Sequence, residues 1–298
     1  MIHPTHQTSI EAFSAQKSRF VELMAKQEKV SRTKFILLIV ANTIDPTIGK
    51  GCQEDIDSVR HMFKKLSAEM DFNFLELIVQ GVDYGQDNII GAIYMLTPGS
   101  NDIVVFYYSG HGFSYKQDAS KKFPQVDLRP HPSSDDIEVI NAHTQNLHDL
   151  FRLIKSRGAR LNIVIGDCCN SLIEFKRKFK GGIEELRNKE KAPVVINKES
   201  CEALFCDYTA SILVAAAGKG EYAVSDDQLG SLFTYNFARS LKLFMKMEVD
   251  KSLGLPWEKL LQETTDATFD LSKTYDIGNG VPGNQKAIYN IEFRETLY

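Results

Sequence analysis

Short, wholly apolar runs recur along this chain, each followed by a polar loop and an amphipathic stretch, and that alternation leaves few architectures open. Residues 35–41 (FILLIVA), 74–79, 103–108 (IVVFYY), 161–165 (LNIVI) and 211–217 (SILVAAA) read as strands, and 287–293 (AIYNIEF) as a last one. Strands that are apolar throughout are buried on both faces, as in a parallel sheet covered by helices. Between them, 53–69 places Ile56, Val59, Met62, Phe63 and Leu66 on one helical face. Helical spacing also runs through 87–96, 141–156, 232–245 and 257–271, and Pro98–Gly99 stops the first of these. Strands alternating with helices imply right-handed βαβ units, hence an α/β class. In such sheets chemistry sits beyond the carboxyl ends of the strands, so the residues that follow each run carry the most information.

A further helix is expected over 8–29, opened by Thr8 and Glu11 as a capping box. Residues 1–33 thus read as a helical extension and 34–298 as one domain. Two stretches lack periodicity: 113–136, polar with three prolines, and 175–206, dense in Lys and Arg between 176 and 191. Stretches of that length inside a domain are functional or linker-like, and 176–206 reads as a basic linker and a candidate processing loop. The net charge of −4 leaves no electrostatic footprint for nucleic acid. No apolar run reaches the length of a membrane span, and the first 30 residues lack a basic-then-apolar leader. Five cysteines, at 52, 168, 169, 201 and 206, are an odd number with two adjacent, which speaks for free thiols and a reducing, cytoplasmic setting.

After IVVFYY comes Ser109-Gly110-His111-Gly112, and after LNIVI comes Asp167-Cys168-Cys169-Asn170-Ser171. Glycines on both sides of a histidine let the backbone turn and leave the imidazole exposed. An imidazole near a thiol can take its proton or lower its pKa, and the thiolate is the nucleophile of acyl transfer. His111 and Cys169 are therefore the candidate dyad, and the backbone N–H groups of Gly112 and Cys169 the candidate oxyanion donors. No third orienting carboxylate is evident. No Cys-x-x-Cys or His-x-x-x-His spacing suggests zinc.

Tyr108–Gly112 and Asp167–Ser171 resemble the two active-site signatures of metacaspases and their bacterial relatives, in the caspase clan of cysteine peptidases. Weaker agreement comes from Phe35–Val40 with Gly51-Cys52-x-x-Asp55, from 211–217 with Ser225-Asp226, and from 230–235 (GSLFTY). The resemblance spans about 34 to 293. It implies a caspase–haemoglobinase fold, a three-layer sandwich with a mostly parallel six-stranded sheet flanked by helices. It implies Cys169, not Cys168, as the nucleophile, and Cys168 as a packed thiol.

The same resemblance implies specificity. Asp167 matches the pocket aspartate, with Asp55 and Ser109 as supporting positions, and carboxylates pair with guanidinium or ammonium groups. Cleavage after Arg or Lys follows. Aspartate-specific caspases carry an arginine where this chain has Gly49. The acidic calcium-binding run of many metacaspases is reduced here to Asp118, Asp127, Asp135 and Asp136, so neither calcium nor any other metal or cofactor is expected. Expected partners are protein or peptide substrates, with an activating protein as a further possibility. The rival readings are a catalytically silent adaptor on the same fold, an Asp-specific caspase, and a separase- or gingipain-like protease.

Overall fold

A computed structural model of the chain describes residues 4–25, 32–118, 120–130, 136–172, 196–248 and 255–293. The elements of the first half are α1 (Pro4–Ala25), β1 (Lys34–Ala41), α2 (Gly49–Glu69), β2 (Asn73–Gln80), α3 (Gln86–Tyr94), β3 (Ile103–Ser109), β4 (Gly112–Phe113), β5 (Gln125–Asp127), α4 (Ile137–Ala142), β6 (Thr144–Asn146) and α5 (Leu147–Lys155). The second half adds β7 (Leu161–Asp167), α6 (Lys198–Phe205), β8 (Ala210–Ala215), β9 (Ser225–Asp226), β10 (Gly230–Ser231), α7 (Leu232–Phe244), α8 (Pro256–Ser272) and β11 (Ile288–Phe293).

Six strands form the central sheet in the order β11-β8-β7-β3-β1-β2. All neighbours are parallel except β11, which runs antiparallel to β8. Alternate side chains of each strand enter opposite cores. On one face Phe35, Leu37 and Ile39 pack with Phe63 and Leu66 of α2, Phe237 of α7, and Trp257 of α8. On the other, Ile36, Leu38 and Val40 meet Ile93 of α3, Phe151 of α5, and Phe20 and Met24 of α1. The result is the helix-covered parallel sheet expected from the apolar runs, in the three-layer, mostly parallel form that the resemblance implied. β1, β3 and β7 are buried along their length because both faces are covered.

Parallel register brings strand ends to one rim: Ala41 pairs with Ser109, and Ser109 with Asp167. The loops after β1, β3 and β7 therefore leave side by side, and β8 ends next to them, with Ala215 paired to Gly166.

Several local expectations change. The N-terminal helix begins at Pro4, so Thr8 lies inside it and not at its start; residues 26–31 lie outside the described part. The segment 113–136 is not uniformly irregular: β4, β5 and β6 form a small antiparallel sheet. Strands of two or three residues are too short to show a period. The stretch 141–156 is two helices, not one. β6 separates them, and the Asn146 side chain caps α5 by accepting from the His148 N–H. The 176–206 linker ends in a packed helix, α6, capped by Asn197, with Cys201, Leu204 and Phe205 buried. Its basic part, 176–191, lies outside the described residues.

Helix α1 lies along the outer strand β2. In the orientation that satisfies both partners, the Gln16 amide donates to the Ile78 carbonyl and accepts from the Ile78 N–H, each at 3.3 Å. The Lys34 ammonium donates to the Met24 carbonyl at 2.7 Å. The other edge of the sheet is β11.

Candidate active site

The histidine loop is built by close contacts that only glycine permits. A Cβ on Gly110 would stand 2.6 Å from the Tyr108 hydroxyl oxygen, and one on Gly112 would stand 2.5 Å from the Cys168 sulfur and 2.6 Å from the Cys169 carbonyl oxygen. Gly112 thus lets the histidine loop press against the cysteine loop. The His111 carbonyl is fixed by two donors, the Tyr108 hydroxyl at 2.7 Å and the Asp127 N–H at 3.0 Å. Behind it lies a buried ion pair, with Arg129 Nη2 2.6 Å from Asp127 Oδ2.

The His111 imidazole is partly exposed, and its Nε2 lies 3.1 Å from Asp45 Oδ2. Asp45, in the loop after β1, is a residue that sequence reasoning missed. It is buried, and its other oxygen accepts from the Thr47 N–H at 2.7 Å, the Thr47 hydroxyl at 2.5 Å and the Ile48 N–H at 3.1 Å. Burial works to raise this carboxyl, but the contacts with His111 and Thr47 outweigh it and hold it well below the ordinary carboxylate value. The available signal was Asp45-Pro46-Thr47 itself: an Asp whose side chain binds backbone two residues on is a turn builder, and it follows a strand at the functional rim.

Cys169 follows β7. Its thiol donates to the Ala223 carbonyl at 3.6 Å rather than to His111, and burial pushes its pKa up to about 11. Cys168 points the other way, into the core beside Val126 and Leu147, and burial likewise raises it. The packed-thiol reading of Cys168 holds on this geometry. Asn170, fully buried, ties the surrounding loops together. Its Oδ1 accepts from the Ser114 hydroxyl, and its Nδ2 donates to the carbonyls of Lys122 at 2.9 Å and Ala217 at 3.1 Å.

Beside the cysteine loop lies a buried acidic cluster. Asp167 accepts from the Ser231 hydroxyl and the Thr234 hydroxyl, both at 2.6 Å. Asp55 accepts from the Ser109 hydroxyl at 2.8 Å and the Ser231 N–H at 2.7 Å. Ser231 carries both carboxylates because Gly230 precedes it with a φ of +74°, and a Cβ there would stand 2.3 Å from Asp55 Oδ1. Burial raises the pKa of both aspartates, and the charge of Asp167 adds to the rise at Asp55. Asp55, Ser109 and Asp167 are thus brought together. Ser231 and Thr234 complete the cluster from the GSLFTY segment, whose sequence signal was weak.

Among the described residues no group of three or more His, Cys, Asp or Glu is placed to hold a metal ion. Asp127 is paired with Arg129, Asp118 with Lys121 at 3.4 Å, and Asp136 caps α4; Asp135 lies outside the described residues. Among them too, no helix is long and apolar enough to cross a membrane.

A parallel sheet whose rim carries the His111 and Cys169 loops side by side suits a cysteine peptidase. The chain belongs to the caspase domain family of peptidases (C14), whose model matches residues 34–279. Among solved structures it is similar to caspase-1 from Spodoptera frugiperda, with a TM-score of 0.51 over 91% of this chain and 92% of that one, at 12% identity. That likeness is one of fold. No curated protein matches in sequence.

Proposed function

We propose that this cysteine peptidase is an endopeptidase that cleaves after Arg or Lys, with Cys169 as nucleophile and His111 as its base. The observation that carries the specificity is the buried Asp55–Asp167 pair beside the cysteine loop. Two carboxylates that share a buried site resist ionising together, and a cation entering the site relieves both burial and mutual repulsion. A guanidinium, with five donors in a planar fork, suits two carboxylates better than any uncharged side chain. An anionic substrate group is excluded by the same charges. Gly49, where an Asp-specific relative carries arginine, has no room for a side chain: a Cβ there would stand 2.4 Å from the Thr43 carbonyl oxygen.

In the reaction, the Cys169 thiol leaves the Ala223 carbonyl and gives its proton to His111. The thiolate then attacks the carbonyl carbon of the substrate. The N–H groups of Gly112 and Cys169 take the developing oxyanion, and His111 returns the proton to the leaving amine. Water then hydrolyses the thioester and frees the enzyme. The basic stretch 176–191 supplies sites of the kind this pocket accepts, so trimming of that stretch by the enzyme itself belongs to the same proposal.

The test is a panel of fluorogenic peptides ending in Arg, Lys or Asp, given to the purified protein and to its Cys169→Ala and Asp167→Ala variants. Arg and Lys cleavage lost in both variants is the expected result. Cleavage after Asp would overturn the pocket assignment. Cleavage that survives Cys169→Ala would overturn the nucleophile.

A further inference from the structure

We infer that Asp45 is the third member of the catalytic group, a positioning residue that fixes the tautomer and ring orientation of His111. The inference rests on the reading of His111 and Cys169 as base and nucleophile.

The imidazole offers two nitrogens, and the hydrogen bond made by one decides what the other can do. A carboxylate is an acceptor only. Asp45 is held ionised, so the nitrogen facing it, Nε2, carries the hydrogen and donates at 3.1 Å. That leaves the Nδ1 lone pair as the proton acceptor for the thiol. When the proton arrives, the ring becomes a cation beside a buried anion already in place.

Asp45 is built for orientation. Its side chain is 3% exposed, against 37% for that of His111. Three donors on Oδ1 from Thr47 and Ile48 leave Oδ2 free to face the ring. The Asp45 carbonyl accepts from the Gly49 N–H at 2.9 Å, which ties the same residue to the start of α2. Those backbone donors also compensate the buried charge, as at the positive end of a helix. The partly exposed imidazole is thus steered by a partner that is itself fixed.

Neighbouring thiols and phenols do not compete for the proton in the neutral range. Burial pushes Cys52 of α2 up to about 12 and Cys169 up to about 11, and raises Tyr84, Tyr108 and Cys168.

Two measurements decide the matter. The first is 15N NMR of the His111 ring in the intact protein, which needs no turnover: the expected signature at neutral pH is a protonated Nε2 and an unprotonated Nδ1. In Asp45→Ala the two tautomers should mix. An Nδ1–H tautomer in the parent protein, or an unchanged spectrum in the variant, overturns the inference. The second is steady-state cleavage of an Arg substrate by Asp45→Ala and Asp45→Asn. The loss of one charge-assisted hydrogen bond predicts a kcat about 10- to 100-fold lower with KM little changed in the alanine variant. The isosteric asparagine, which keeps an acceptor without the charge, should recover part of it. If the alanine variant does not fold, the asparagine variant carries the test. A Cys169→Ala protein that still cleaves would remove the underlying reading instead. A dead Cys169→Ala protein beside an Asp45→Asn protein with parental kcat and spectrum would remove only the role of Asp45.

Discussion

Asp55 and Asp167 are carried by one residue, Ser231, which donates its backbone N–H to the first at 2.7 Å and its hydroxyl to the second at 2.6 Å. The two carboxylates come from distant parts of the chain, one on α2 and one at the end of β7. Each is buried, and each has its pKa raised by that burial.

The raised pair makes cation binding depend on pH. Above the ordinary aspartate value of 3.8 the pair retains protons, which on the proposed specificity an Arg or Lys side chain displaces. KM for an Arg substrate should therefore fall as pH rises through the range in which the pair titrates, while an uncharged substrate shows no such slope. The stability sign is the reverse. The folded state holds protons that the unfolded chain has released, so the pair's contribution to stability declines as pH rises from 3.8 toward the folded values. Asp167→Asn should remove the KM slope and cut kcat/KM for Arg about 100- to 4,000-fold, the scale of losing one partner of a buried ion pair.

Cys169 in its resting position should be a poor nucleophile toward small reagents. With the thiol on the Ala223 carbonyl and its pKa near 11, iodoacetamide should alkylate it slowly at pH 7. The rate should climb about tenfold per pH unit toward pH 10, because the thiolate fraction does so. Mass spectrometry of the modified peptide measures this. A rate plateau beginning near neutrality would show that a thiolate–imidazolium pair already exists at rest.

Gly112→Ala should disable the site without removing a titrating group. The new methyl would meet the Cys168 sulfur and the Cys169 carbonyl at about 2.5 Å, so either the histidine loop or the cysteine loop must move. We expect a stability loss of about 1–3 kcal/mol, typical of overpacking, and a drop in kcat at least as large as that of Asp45→Ala. Thermal unfolding and Arg-peptide turnover report the two effects separately.

Arg129→Ala should destabilise the protein by about 3–5 kcal/mol, since it leaves Asp127 buried without its cation. The two side chains are each 5% exposed and joined at 2.6 Å. The loss should also reach His111, because the Asp127 N–H holds the His111 carbonyl. Chemical denaturation gives the first number. Replacing both residues with apolar ones of similar size should cost less than replacing one.

The parallel sheet was legible in the sequence because runs such as FILLIVA and IVVFYY are buried on both faces and advertise it. The His111 and Cys169 loops were legible because each follows such a run and carries flanking residues that serve little else. What could not be read were contacts made by tertiary approach. Asp45 is one acidic residue in a loop until the β1–β3 register carries that loop beside His111. Ser231 and Thr234 reach Asp167 from more than 60 residues away in sequence. The three-residue strands β5 and β6 gave no period, and the helix in the basic linker was hidden by the charges that precede it.

Helix α1 guards part of one sheet edge. Its Gln16 amide occupies the outward-facing backbone groups of Ile78 on β2, a position where another strand could otherwise dock. A strand approaching there would have to displace that amide, and the helix behind it, before it could pair with Ile78.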